Sequence, residues 1–299
     1  MSHVKKSLVV AAIIVSVGFI PMVSGIQPNY VYGESDLAEP ADMGFGDTVE
    51  SLEADVSGRQ SDKEKLISTR QCPGCDLRDI NLAGADLRSA DLSETNLTNA
   101  ILQDADLSKG STLANANLTG ANLKNVNLTD AIMDGANLTN TDLTGANLTR
   151  VDLTNVNISG TNFTRANLTH TNMSNSNLRG INFQGADLSG ADLTGADLSN
   201  CNLKGATLSG TKLLRALLFG SDLSDAKLYH ADLQDVNLVA SQGSATPSSF
   251  NLDGANLSGA NLKGADLSKA SVKGTILKDA KDLTAEQKAD LQKRGAIVD

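Results

Sequence analysis

The chain has 299 residues, 40% of them apolar and 3% aromatic, with no Trp. That apolar content excludes a disordered chain, and with so few aromatics any core must be aliphatic. A net charge of −10, from 25 basic and 35 acidic residues, excludes nucleic acid or an anionic membrane held by bulk charge, and three Cys exclude a dense disulfide framework.

The N-terminus reads as a targeting segment. Lys5 and Lys6 precede an uncharged run over residues 7–24, a positive region followed by an apolar one. Pro21 and the small residues near its end favour cleavage after Gly25. The rival is an uncleaved anchor, since this run is at the lower limit for a membrane span. Both readings put the folded part beyond a membrane. Residues 26–60 lack periodicity and carry eight acidic and no basic residues between Glu34 and Asp55. They read as an acidic, disordered linker.

From residue 75 to 280 the sequence repeats every five residues. Residues 85–89 read ADLRS, 186–190 ADLSG and 255–259 ANLSG. The large apolar residue, position i, recurs 39 times from Leu77 to Leu277, and 33 of the 39 are Leu. Position i−2 is Ala in 21 and position i−1 is Asn or Asp in 30. A period of five matches neither a helix nor a flat strand. It requires a chain that turns a corner every pentad, with i and i−2 pointing inward. Four pentads close a square coil, and coils stack at about 4.8 Å.

These pentads resemble the pentapeptide-repeat family, whose motif is A(D/N)LXX. The resemblance implies an all-β solenoid, a right-handed quadrilateral β-helix of about ten coils and roughly 45–50 Å in length. Two irregularities interrupt it. Leu107 to Leu113 spans six residues, a one-residue bulge. Leu238 to Leu252 spans fourteen, a loop over 239–250 marked by Gly243 and Pro247. Open ends would expose Leu and unpaired backbone, so short helical caps are expected at both ends, over 61–74 and 281–299. Ser61–Glu64 and Thr284–Gln287 both have capping-box spacing. Residues 66–77, LISTRQCPGCDL, also resemble the entry segment of pentapeptide proteins abundant in cyanobacteria, which implies periplasm or thylakoid lumen.

Cys72 and Cys75 extend the repeat backwards as positions i and i−2. Three readings stand: small inward core residues, a disulfide between them, or a catalytic or metal role. The last lacks a second CxxC or a nearby His pair for zinc, and lacks the strand–helix context of a redox motif. Cys201 is an inward i−2 residue. His170 and His230 are three coils apart, about 14 Å, too far to share a metal. No catalytic, cofactor-binding or metal-binding residue is expected. One stretch departs from the outward polar pattern. Leu214 and Phe219 occupy i+1, Leu217 replaces Asn or Asp at i−1, and Val239 falls one coil beyond Phe219. Covered by the 240–249 loop, they form a satellite core; uncovered, they form an interaction patch.

Three functions follow. The first is a non-enzymatic, exported rod that scaffolds an unknown protein partner or self-associates as a homo-dimer, touching membrane only through residues 7–24 if these stay uncleaved. The second is a DNA mimic acting on a DNA-binding protein such as gyrase. Residues 76–280 carry 21 acidic and 15 basic residues, 21 − 15 giving a net charge of −6, against about 28 charges for DNA of that length. The third, an enzyme or redox protein using the CxxC, has the least support.

Overall fold

A computed structural model describes residues 49–236 and 250–298, with side chains from residue 54 onward. The targeting segment, residues 26–48 of the linker and Val239 with its loop lie outside the described residues. The chain divides into compact units Met1–Asp55 and Val56–Asp299. The second is the repeat unit. Helix α1, Val49–Thr69, leads into it and helix α2, Ala285–Lys293, follows its last coil.

Within the repeat each pentad contributes one short parallel pairing and one corner. Leu77 N–H donates to the Asn96 carbonyl at 2.8 Å and Asn96 N–H to the Cys75 carbonyl at 2.9 Å. The turn closes where Ile80 N–H returns to the Leu77 carbonyl at 3.3 Å. Pairings run from Asp76 to Asn96 and from Asn81 to Ile101. That offset of twenty residues makes four pentads one coil.

The sequence preferences follow from this geometry. Position i+2 lies in the left-handed region: φ is 57° at Ser89, 58° at His170 and 66° at Gly190. A turn with φ > 0 at its third residue favours Gly and Asn, the residues most common there. The Asn or Asp at i−1 accepts the N–H of i+1, as Asn81 does from Ala83 at 2.9 Å and Asp187 from Ser189 at 3.0 Å. These side chains hold the chain as it enters each corner. Among the described residues Leu at i is buried throughout, and Ala at i−2 is buried in every pentad except at Ala85, which is partly so. Burial of one Leu stabilises by about 2 kcal/mol before ordering entropy is subtracted.

Most buried polar residues at i−2 find a partner, the Ser176 hydroxyl being the exception. Thr141 donates to the Leu118 carbonyl at 2.9 Å, Thr161 to Leu138 at 2.8 Å and Thr211 to Leu188 at 2.9 Å. Each reaches the coil before its own, so the hydroxyl finds the partner that burial demands. Phe163 and Phe183, both at i, stack with ring centroids 5.4 Å apart.

The extra residue near 108–112 shifts the offset to 21, from Asp91 to Thr112. Lys109 and Gly110, at φ 60° and 74°, absorb it in one corner, and the Ser111 hydroxyl bonds the Leu107 carbonyl. Across the later excursion the offset is 29, from Asp222 to Asn251. Phe250, expected in that loop, belongs to the coil instead. It is buried at an i−2 position, and its carbonyl accepts Ser271 N–H at 2.8 Å. Its large apolar ring is driven inward where Ala usually stands.

A second correction concerns the start of α1. Ser61–Glu64 does not open a helix, because α1 is under way from Val49 and Ser61 lies inside it. Residues 49–60, expected in the linker, are therefore helical. They contain no Pro, and Glu, Leu, Ala, Arg and Gln outweigh the single Gly58. Leu66 is fully buried against the first coil. At the far end Thr284 caps α2 in a complete capping box with Gln287. The Arg294 guanidinium donates to the carbonyls of Leu267, Ser268 and Ala270 at 2.9, 3.1 and 2.9 Å. It supplies donors to acceptors on the last coils.

Candidate functional site

Cys72 and Cys75 flank a Pro-Gly corner, with Gly74 at φ 66°. Both point inward, exposed by 0% and 6%, and they are joined as a disulfide. Helix α1 lies over them. Asp62 accepts the Asp76 N–H at 3.0 Å, and the Lys65 ammonium lies 3.9 Å from Cys75 Sγ. A carboxylate oxygen of Asp62 and the two sulfurs fall within 4.8 Å of one another. Sulfurs bonded to each other are not thiolate ligands, and the positive charge of Lys65 beside Cys75 opposes a bound cation. The sequence did not single out Asp62 or Lys65. Their spacing of three on a helix that ends just before the CxxC was the available signal. Cys201, the remaining Cys, is buried, and desolvation pushes its thiol up to about 12.

The apolar stretch sits near the end of the continuous stack. Leu217 is 39% exposed, and Leu214 and Phe219 are half-buried. Lys212 pairs with Asp192, and Leu217 pairs with Asp197. Leu214 therefore stands on one side, and Leu217 with Phe219 stand on the next, around the corner at Arg215. His170 and His230 occupy the same corner row three coils apart, which leaves them as surface groups rather than a pair.

A third feature was not legible in the sequence. The pairing ladder is interrupted between Ile132 and Asp152, and again between Asn157 and Asn177. Val151, Val156 and Ile158 stand inward on this stretch, but Val126 and Ile181 stand inward where the pairing is continuous, so β-branching alone does not account for the break. A cleft of about 470 Å³ lies beside the first interruption, lined by Asp130, Ile132, Asp134, Arg150 and Asp152 among others. Arg150 makes a bidentate pair with Asp130 at 2.7 and 2.6 Å and holds that carboxyl below its usual range. Asp134 accepts from Asn155 at 3.0 Å. Asp130 and Asp134 are thus engaged by separate partners, and the Thr154 hydroxyl donates to Asp152 at 2.8 Å, the same corner bond that Thr144 and Thr149 make in other coils.

Comparison with known proteins agrees with this geometry. Pentapeptide repeats match in eight copies between residues 75 and 280. The chain belongs to the pentapeptide-repeat family, whose fold is a right-handed quadrilateral β-helix. Among solved structures it is similar to HetL from the cyanobacterium Nostoc, a protein involved in regulation of heterocyst differentiation. Identity is 32% over 74% of this chain and 97% of that one, with a TM-score of 0.43. It is also similar to AT2G44920 from the Arabidopsis thaliana thylakoid lumen, at 30% identity over 41% of this chain and 80% of that one, TM-score 0.33. QnrB1, a plasmid-mediated fluoroquinolone resistance protein, is 16% identical over 67% of this chain and 89% of that one, TM-score 0.26. No curated protein matches. Among the described residues no helix is long and apolar enough to cross a membrane.

Proposed function

We propose that the chain is an exported, non-enzymatic scaffold of about ten coils, closed at its ends by α1 and α2, that holds a protein partner on its side. Closure at both ends directs binding to the lateral faces. At the first coil Leu66 is buried and Asp62 takes up the Asp76 N–H. At the last, Arg294 takes up three carbonyls. Stacking of another solenoid end to end is then disfavoured.

The observation that carries the reading is Leu217. It occupies an outward position that is Asn or Asp in 30 of 39 pentads, and 39% of it is exposed; Ile101 and Ile132 are exposed at the same position, but without large apolar residues at the flanking i+1 positions. Leu214 and Phe219 adjoin it. An apolar break in a polar ladder marks a contact surface. A second copy of the chain is the rival occupant. Export is supported by the segment over residues 3–25 and by a disulfide, which persists in oxidising compartments.

Cell fractionation with N-terminal sequencing tests export. The account expects the protein in periplasm or lumen with its mature terminus near Ile26; a cytoplasmic, uncleaved chain contradicts it. Cross-linking with Lys-reactive reagents in that compartment, combined with light scattering of the purified protein, separates a heterologous partner from a homo-dimer.

A further inference from the structure

We infer that Cys72 and Cys75 form a thiol–disulfide exchange site, with Lys65 as the positioning residue that stabilises the Cys75 thiolate and the redox partner a protein or small-molecule dithiol. Three observations carry this. First, the pair is a poor staple. It closes a loop of sequence separation 3, where constraint of the unfolded chain is least. The corner it spans is already set by Pro73, by Gly74 in the left-handed region and by the Cys75 N–H to Cys72 carbonyl bond at 3.2 Å. The Leu and Ala found at these two positions in most other pentads would fill the same space. What distinguishes the cysteines from that consensus is that their bond can open.

Second, Lys65 Nζ lies 3.9 Å from Cys75 Sγ. A cation there lowers the cost of a thiolate, favouring both the approach of an anionic nucleophile and the departure of Cys75 as an anion. The Asp62 carboxylate, within 4.8 Å of both sulfurs, accepts the Asp76 N–H but keeps its negative charge, which the Lys65 ammonium offsets at Cys75. Third, the two sulfurs differ in access. Cys75 is 6% exposed and Cys72 is fully buried, so attack falls on Cys75.

The exchange balances in two steps. A thiolate of the dithiol bonds to Cys75 Sγ and the Cys72–Cys75 bond breaks. Cys72 sulfur takes the proton of the reductant's second thiol. That second sulfur, now a thiolate, attacks the sulfur bonded to Cys75, and Cys75 leaves as a thiolate beside Lys65. The partner is oxidised to its disulfide, and two electrons pass to the cysteine pair.

Dithiothreitol at neutral pH, acting on the full mature chain, is the probe, read by maleimide mass labelling at residues 72 and 75. The account expects reduction of the folded protein well ahead of global unfolding measured by hydrogen exchange. It expects Lys65→Gln to slow reduction roughly 3–10-fold and Lys65→Arg to restore it, as a charge effect requires. Higher salt should slow the wild type more than Lys65→Gln. Cys72→Leu combined with Cys75→Ala should fold with little change in Tm. Reduction only at the global unfolding rate, equal rates for wild type and Lys65→Gln, or a large loss of Tm in the double variant would make the bond a structural staple and overturn the inference. Tight zinc binding by the reduced wild type would overturn it in favour of a metal site.

Discussion

His170 leans over Gly190, the residue at the same corner one coil further on: a Cβ at position 190 would lie 2.6 Å from His170 Nδ1. His230 and Gly259 repeat the relationship, at 2.4 Å. A long side chain on one coil thus occupies the space that a missing Cβ leaves on the next. Gly after a long corner residue therefore serves packing as well as backbone conformation.

This separates two costs usually merged at glycine. Gly205 has the same left-handed backbone, φ 65°, with nothing within 4 Å of its would-be Cβ. Gly205→Ala should cost about 1 kcal/mol from backbone strain alone. Gly190→Ala should cost about 1 kcal/mol more, and adding His170→Ala to Gly190→Ala should remove only that excess. Urea unfolding of the three variants measures it; equal losses at 190 and 205 would show that His170 simply swings away.

The register predicts opposite outcomes at adjacent residues. Leu193 is fully buried and Thr194 partly exposed. Leu193→Lys should unfold several coils by burying an unpaired charge, while Thr194→Lys should stay within about 0.5 kcal/mol of wild type. Circular dichroism with thermal melting distinguishes them.

Arg294 acts as a forked donor to three carbonyls, so Arg294→Ala should leave those acceptors to water and loosen residues 266–272. Loss of hydrogen-exchange protection confined to the last coils, with a drop of about 1–3 kcal/mol, is expected. Lys should rescue only in part, because one ammonium cannot reproduce the planar fork.

Near the first coil, Arg88 and then Arg70 hold the Asp86 carboxyl well below the usual carboxylate range. A folded pKa lower than the unfolded one stabilises the fold above the unfolded value, near pH 4, and that contribution disappears as pH falls through the folded value. Asp86→Asn should therefore be less stable than wild type at pH 7 and converge with it in strong acid. The groups are exposed, so the difference should be small and shrink with salt. A variant as stable as wild type at both pH values would show that the pairs contribute nothing.

The period of five made the coil legible, because inward residues are chosen by burial and burial recurs every corner. Features set by contacts between coils were less legible. The interrupted pairing beside Ile132 is a relation between residues twenty apart, which no local pattern displays. Phe250 follows a Ser- and Pro-containing stretch, so local composition concealed its return to the core. The helix before Ser61 was obscured by eight acidic residues that read as solvated chain. Lys65 became notable only once α1 brought it beside Cys75.

The central functional claim rests on Leu217. Leu217→Asn restores the residue type most pentads carry at i−1, so it tests the surface without disturbing the core. The account predicts an unchanged or slightly raised Tm together with at least roughly tenfold weaker cross-linked capture of the partner, on the scale of losing an interface anchor. Full capture by Leu217→Asn, and by Phe219→Ser with its fold intact, would contradict it.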